Sequence, residues 1–187
     1  QAHHANILLV SATPNYFFTE RFLDIKSADH ISIESFNNSD YQIDFQTYDS
    51  ENEPSPLIHQ SHSQDPSTFV ITNTAISAQI GFIEHHQDEK SILLHSKYNK
   101  KDKSYWFDKV FESFKRGGTK EFDVLRSGPI VQASLNISCD CMYTELTNAE
   151  NWLQRLGRLD RFGQNIDNNI YTTVMANNAI TGKQTSK

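Results

Sequence analysis

From residue 68 onward, short runs rich in β-branched, aromatic and aliphatic residues recur, and the gaps between them have room for helices. The runs are Thr68-Phe69-Val70-Ile71-Thr72, Ser91-Ile92-Leu93-Leu94-His95, Phe122-Asp123-Val124-Leu125, Met142-Tyr143-Thr144-Glu145 and Ile170 to Met175. Near-continuous apolar character suits strands covered on both faces. Strands alternating with helical patterns of about 10 to 15 residues indicate βαβ units. The predicted fold is therefore α/β, a parallel sheet with helices on both faces. All-α and all-β folds are excluded.

Helical periodicity fills the gaps. Ala75 to His86 carries Ile76, Ile80 and Ile83 on one stripe. Lys100 to Phe114 carries Trp106, Phe107, Val110, Phe111 and Phe114 as an apolar side, read as core rather than as a platform for bases, and Gly117-Gly118 ends it. Asn148 is a natural N-cap for a helix running to Leu159. Ahead of this block, Ile7-Leu8-Leu9-Val10 is a short strand that stops at Ser11-Ala12-Thr13-Pro14. Tyr41 to Tyr48 alternates apolar and polar residues, as a half-buried strand near a sheet edge does. Residues 49 to 68 read as a solvated loop or connector.

Composition narrows the function. A chain of 187 residues with 37% hydrophobic content supports one domain with a core, with or without a tail. A formal net charge of -6 gives no bulk signal for nucleic acid, so such binding needs a local basic patch, and the bases gather between Lys97 and Arg161. Cys139 and Cys141 are the only cysteines and lack a second pair for zinc. Buried thiols in a reducing compartment fit better, which makes the expected location cytoplasmic. The histidine pairs His3/His4 and His85/His86, with His59 and His62, match no metal-ligand spacing, so no metal site is expected. No run approaches the ~20 apolar residues of a membrane span. The chain opens without methionine or a signal peptide, and is read as a fragment of a longer protein.

The densest chemistry lies in Gln154-Arg155-Leu156-Gly157-Arg158-Leu159-Asp160-Arg161, which reads Q-x-x-G-R-x-x-R. At helical spacing Gln154, Arg158 and Arg161 share a face, and Arg155 points off it toward an ion pair or a nucleic acid. Gly157 lets a phosphate or a second backbone approach. Two forked guanidiniums suit a phosphate chain. A solvated basic turn, with surface ion pairs from Arg158 or Arg161 to Asp160 or Asp167, satisfies the same pattern.

Four segments together resemble superfamily 2 helicases: Ser11-Ala12-Thr13, Leu93-Leu94-His95-Ser96-Lys97-Tyr98, Ile130 to Ile137, and Gln154 to Arg161. Within them, L-L-H-S, S-L-N-I and T-E-L before Q-R-x-G-R-x-x-R resemble the CRISPR-associated helicase–nuclease of type I interference systems. The likeness covers about residues 7 to 15 and 68 to 165. It implies a RecA-like fold, with residues 1–15 as the last strand and S-A-T motif of a preceding RecA-like domain. Residues 16–67 become an edge strand and connector, 68–175 the second RecA-like helicase domain, and 176–187 a C-terminal tail.

The resemblance also implies roles. Arg161 would be the arginine finger, Arg158 a second phosphate contact, and Gln154 an orienting group. Asn136, Gly157 and Thr13 would face ATP, whose Mg2+ would be bound by residues outside this chain. Asn73, Thr74, Ser96, Lys97, Ser127 and Gly128 would line single-stranded DNA, with capping of helices as the competing role for Thr74 and Ser96. Lys100, Lys101 and Lys103 read as a solvated helix start. Partners implied are single-stranded DNA, a CRISPR RNA-guided surveillance complex, and the preceding RecA-like and HD domains of the parent, with no membrane. In parallel sheets ligands gather at the carboxyl ends of strands, where these motifs are expected to fall.

The glycine-rich phosphate loop with its lysine and the D-E-x-[DH] motif are absent from this sequence. This chain alone is therefore expected to be inactive. Gly128-Pro129, Gln132 and Asn136 replace a threonine and two acids of the family pattern. Two alternatives follow: another superfamily 2 helicase acting on DNA or RNA, or a non-enzymatic RecA-like binding module.

Overall fold

A computed structural model describes residues 20–21, 39–63, 67–132, 135–165 and 169–177. The chain divides into two compact units, Gln1–Ser35 and Phe36–Lys187, and the architecture below is that of the second. The Ile7–Val10 run, Ser11-Ala12-Thr13 and Asp167 lie outside the described residues.

The strands are β1 (Tyr41–Tyr48), β2 (Thr68–Ile71), β3 (Ser91–Leu94), β4 (Val124–Ser127), β5 (Cys141–Glu145) and β6 (Asn169–Ala176). They pair in parallel as one sheet, in the order β1-β6-β5-β2-β4-β3. The helices are α1 (Pro56–His59), α2 (Ala75–His85), α3 (Lys100–Phe114) and α4 (Ala149–Leu156), with a 3₁₀ turn over Pro129–Gln132. Alternation along β2 separates two cores. Phe69 and Ile71 point into the larger one, with Val110 and Phe114 of α3 and the half-buried Trp152 and Leu156 of α4. Val70 points the other way, onto Leu57 of α1, Val124 and Val174. Each such side chain taken from water contributes about 1.5–3 kcal/mol. Helices thus cover both faces, as the alternating sequence pattern requires.

Capping fixes where helices start. Thr74 accepts from Ser77 N–H at 3.1 Å at the head of α2. Asn99 accepts from the N–H groups of Lys101 and Asp102 at the head of α3. Asn148 accepts from Asn151 N–H at 2.9 Å at the head of α4.

β1 lies at the sheet edge as expected but is mostly exposed rather than half-buried, with Tyr41, Ile43 and Phe45 all exposed. Three further expectations change. The stripe of Ile76, Ile80 and Ile83 faces outward, with Ile83 68% exposed, and α2 seats its opposite face through Ala78, Gly81 and His85. The cause lies beneath it. A Cβ on Gly81 would stand 2.9 Å from Arg126 Nη1 and 3.3 Å from the Ile58 carbonyl, so only a small-residue face can approach this closely. Second, β4 does not stop at Leu125 but runs on through Arg126 and Ser127, both buried. Third, residues 49 to 68 are not wholly a solvated connector. Leu57 is core, and His62 is buried, with its ring 4.2 Å from that of Tyr143.

Arg126 explains the last two changes. Its guanidinium donates to both Glu89 oxygens, at 2.9 and 2.7 Å, and to the carbonyls of Leu57 and Gln60. Glu89 also accepts from His62 N–H at 2.7 Å. A charge can enter the strand because every fork of it is met. The same bonds strap residues 57–62 onto the sheet.

Candidate nucleotide and nucleic-acid surfaces

The sequence motifs divide between opposite ends of the sheet, rather than gathering at the carboxyl ends as expected. α4 leaves the carboxyl end of β5 and runs back, so its last turn lies at the amino end. It stops at Leu156, and Gly157 is its C-cap. The chain then joins the head of β5: Cys139 N–H donates to the Arg158 carbonyl at 3.1 Å, and Asp160 N–H to the Cys139 carbonyl at 2.8 Å. The 157–161 segment is therefore a loop laid along residues 138–140. Gln154, Arg158 and Arg161 consequently do not share one helical face.

That loop unites three predicted residues. Arg161 is exposed; its Nε donates to Asn136 Oδ1 at 2.6 Å and its Nη1 to the Gly157 carbonyl at 3.1 Å. Its backbone N–H donates to Ser138 Oγ at 3.0 Å. An exposed guanidinium fixed at two points keeps donors for an anion from outside. Gly157 has φ of -65°, and a Cβ there would meet nothing nearer than 3.6 Å. The fold of this chain therefore does not itself demand a glycine.

Arg158 and Gln154 behave differently. Arg158 is buried and donates from Nη1 to the Leu135 carbonyl. Burial, followed by the nearby positive charge of Arg161, pulls its pKa down to about 10, so it stays charged at neutral pH. Gln154 is half-buried, and its amide reaches back along α4 to Glu150 at 3.5 Å. Asp160 is buried, which corrects the surface ion pair considered for it. Its carboxylate accepts from Ser39 Oγ and from the N–H groups of Gln164 and Asn165.

The carboxyl ends of β2, β3 and β4 bring the other set together. Asn73 and Thr74 follow β2, Ser96 and Lys97 follow β3, and Ser127 and Gly128 close β4. Asn73, Thr74, Ser96 and Lys97 are exposed. Thr74 caps α2, and Lys97 N–H donates to His95 Nδ1 at 3.1 Å. Burial lowers the pKa of His95, which favours the neutral ring that this acceptor role needs. Ser127 departs from its expected place at the surface. It is buried, and its hydroxyl donates to the Leu94 carbonyl at 2.9 Å. Gly128 lies beneath the head of α2, where a Cβ would meet Ala75 at 3.3 Å.

Sequence reading missed the network behind Asn73. Arg155 does not reach an exposed partner; it is buried and donates to Thr144 Oγ1 at 2.6 Å, the Glu145 carbonyl at 3.1 Å and Asn73 Oδ1 at 3.0 Å. Asn73 gives its N–H to the Glu145 carboxylate at 2.6 Å and its amide to the Leu146 carbonyl at 2.7 Å. Burial raises the Glu145 pKa, with the Asn73 N–H and the Arg155 charge acting against it. The available signal was T-E-L standing ten residues ahead of an arginine on the same strand–helix unit.

Among the described residues, no group of three or more His, Cys, Asp or Glu could hold a metal ion, and no helix is long and apolar enough to cross a membrane.

An all-parallel six-stranded sheet, with an arginine loop at one end and polar loops at the other, defines the class as a RecA-like α/β domain. Solved structures share that fold. The crystal structure of T. fusca Cas3-ATP superposes with a TM-score of 0.61 at 17% identity, over 81% of this chain and 20% of that one. A CRISPR RNA-guided surveillance complex in a pre-nicking state contains a chain matching at 0.58 and 19% identity, over 80% of this chain and 20% of that one. The CRISPR-associated nuclease/helicase Cas3, C-terminal family matches residues 64–164, and the chain belongs to that family as a C-terminal helicase domain of Cas3 type. A CRISPR-associated nuclease/helicase Cas3 of Methanocaldococcus jannaschii is 29% identical over 109 residues, 57% of this chain. The chain spans only 15% of that relative's length.

Proposed function

We propose that this chain is the second motor domain of an ATP-dependent DNA helicase or translocase acting in type I CRISPR interference. Residues 68–175 form that domain, 16–67 its edge strand and connector, 1–15 the close of a preceding RecA-like domain, and 176–187 a tail. The single observation that carries the reading is the junction of Arg161, Asn136 and Gly157. These are motif residues from two segments, and they meet as one exposed, pre-oriented guanidinium.

ATP bound by the preceding domain would be the substrate: water would attack its γ-phosphate as the bond to the leaving ADP breaks, and Mg2+ would be held by residues outside this chain. Arg161 offers charge toward the transferred phosphate from across the cleft, where positioned electrostatics dominate such catalysis. Asn136 and the Gly157 carbonyl keep its fork aimed. Arg158, turned to the Leu135 carbonyl, holds the Leu135–Ile137 segment in place behind Asn136, and Gln154 stiffens the last turn of α4. At the opposite end, Asn73, Thr74, Ser96 and Lys97 offer amide, hydroxyl and ammonium groups to the phosphates of single-stranded DNA without reading bases. Ser127 and Gly128 support this track from beneath.

In this reading the parent feeds DNA to an HD nuclease domain, acts in the cytoplasm, and is recruited by an RNA-guided surveillance complex. The fold neighbour in such a complex supports that partner. The test is ATP hydrolysis by the whole parent with and without single-stranded DNA. Stimulation by DNA is expected. A folded parent that hydrolyses no ATP with DNA present contradicts the reading and leaves a RecA-like binding module.

A further inference from the structure

The two ends of the sheet are joined through one helix. α4 carries the arginine loop on its C-terminal end, and three residues before Arg158 it sends Arg155 the other way. Side chains on a helix lean toward its N-terminus, so Arg155 reaches back along α4 to the carboxyl end of β5. There it holds Thr144, the Glu145 carbonyl and the Asn73 side chain at once. Asn73 lies in the exposed loop after β2, and that loop is tied twice more to the end of β5, through Glu145 and Leu146. Arg155 is 1% exposed, and a shift of the 73–74 loop that left it in place would break its 3.0 Å bond to Asn73.

We propose that Arg155 is a positioning residue that couples the nucleic-acid loop at Asn73 and Thr74 to the arginine loop at Gly157 to Arg161. It contacts neither ligand in this account. DNA engaging the 73–74 loop fixes Asn73, Asn73 fixes Arg155, and Arg155 sets the axial position of α4 and therefore of Arg161. Absence of DNA leaves α4 free to settle with Arg161 off the phosphate. The inference rests on the motor reading above.

The experiment uses the whole parent protein and compares wild type with Arg155→Lys, which keeps the charge but loses the fork. Three quantities are read: hydrolysis without DNA, stimulation by single-stranded DNA, and the Kd for that DNA. The expected result is stimulation reduced on the order of 10-fold, the size of an ordinary coupling energy, with the other two within about twofold. A purely structural role would lower hydrolysis with and without DNA in step with the folded fraction and leave their ratio unchanged, and undiminished stimulation of that kind overturns the proposal. If the wild type shows no stimulation, the motor reading falls and the coupling with it. If stimulation is present and survives the substitution, only the coupling falls. Should Arg155→Lys not fold, hydrogen exchange on the wild type decides. DNA must change protection of amides 157–161, and a non-hydrolysable ATP analogue must change protection at 73–74. Changes confined to the loop nearest each ligand overturn it.

Discussion

Arg126 and Arg155 are each 1% exposed and each lies beside a glutamate, yet their surroundings differ in kind. Arg126 closes a two-bond fork on Glu89 and takes two backbone carbonyls besides. Burial pushes the Glu89 pKa up, but the Arg126 bonds and the His62 N–H outweigh it, and the net shift is downward. Arg155 donates to three neutral oxygens, and the Glu145 beside it shifts upward because burial prevails. The first site is a clamp under α2 in which charge is matched by charge. The second lies where loops leave the sheet, and its bonds to Thr144, the Glu145 carbonyl and Asn73 tie two of those loops together. Residue type and burial alone do not separate the two arginines; the partners do.

The largest effect comes from opening the clamp. Arg126→Met leaves Glu89 buried without its partner and should cost about 3–5 kcal/mol in urea unfolding, and adding Glu89→Leu should recover most of it. A loss under 1 kcal/mol for the single variant breaks the comparison. At the other arginine, Thr144→Val removes the 2.6 Å acceptor and should cost about 1–3 kcal/mol by the same measurement.

Acid titration separates the sites by sign. Glu89 has a depressed pKa in the folded state, so its contribution is present above the ordinary glutamate range and lost as pH falls through the depressed value. Glu145 has a raised one, so its contribution is present below that range and lost as pH rises through the raised value. Unfolding free energy followed with pH should therefore lose its acid limb in Glu89→Gln, whereas Glu145→Gln should remove a decline on the alkaline side of the range. The same sign in both variants contradicts the contrast. Smaller still, Thr74→Ala should cost about 1 kcal/mol by loss of the α2 cap. Ile76→Gln, on the exposed stripe, should stay within about 0.5 kcal/mol, and a larger loss would mean that the stripe is covered.

Much of the fold was legible because both periodicities are strong. α3 falls on Lys100–Phe114, and Asn148 caps α4, as the sequence implied. What failed shares one cause, long-range compensation. The apolar run of β4 breaks at Arg126, and its burial is made tolerable by Glu89, 37 residues earlier, together with the Leu57 and Gln60 carbonyls. The isoleucine stripe of α2 was a plausible inner face until Arg126 required a glycine there. At the site, the residue types in Q-x-x-G-R-x-x-R marked the arginines. Their directions were not legible, because the helix ends inside the motif and divides Arg155, Arg158 and Arg161 among three environments. The pairing of Arg161 with Asn136 needs β5 and α4 to be folded together, and no local pattern encodes it.

The central claim is that Arg161, alone among these arginines, acts on the nucleotide. The direct measurement is steady-state ATP hydrolysis by the whole parent with saturating single-stranded DNA, comparing wild type with Arg161→Ala, alongside Tm and nucleotide Kd. The account predicts a loss of hydrolysis on the order of 10³-fold, with Tm and nucleotide binding essentially kept. Hydrolysis within a few-fold of wild type in the folded variant would contradict it.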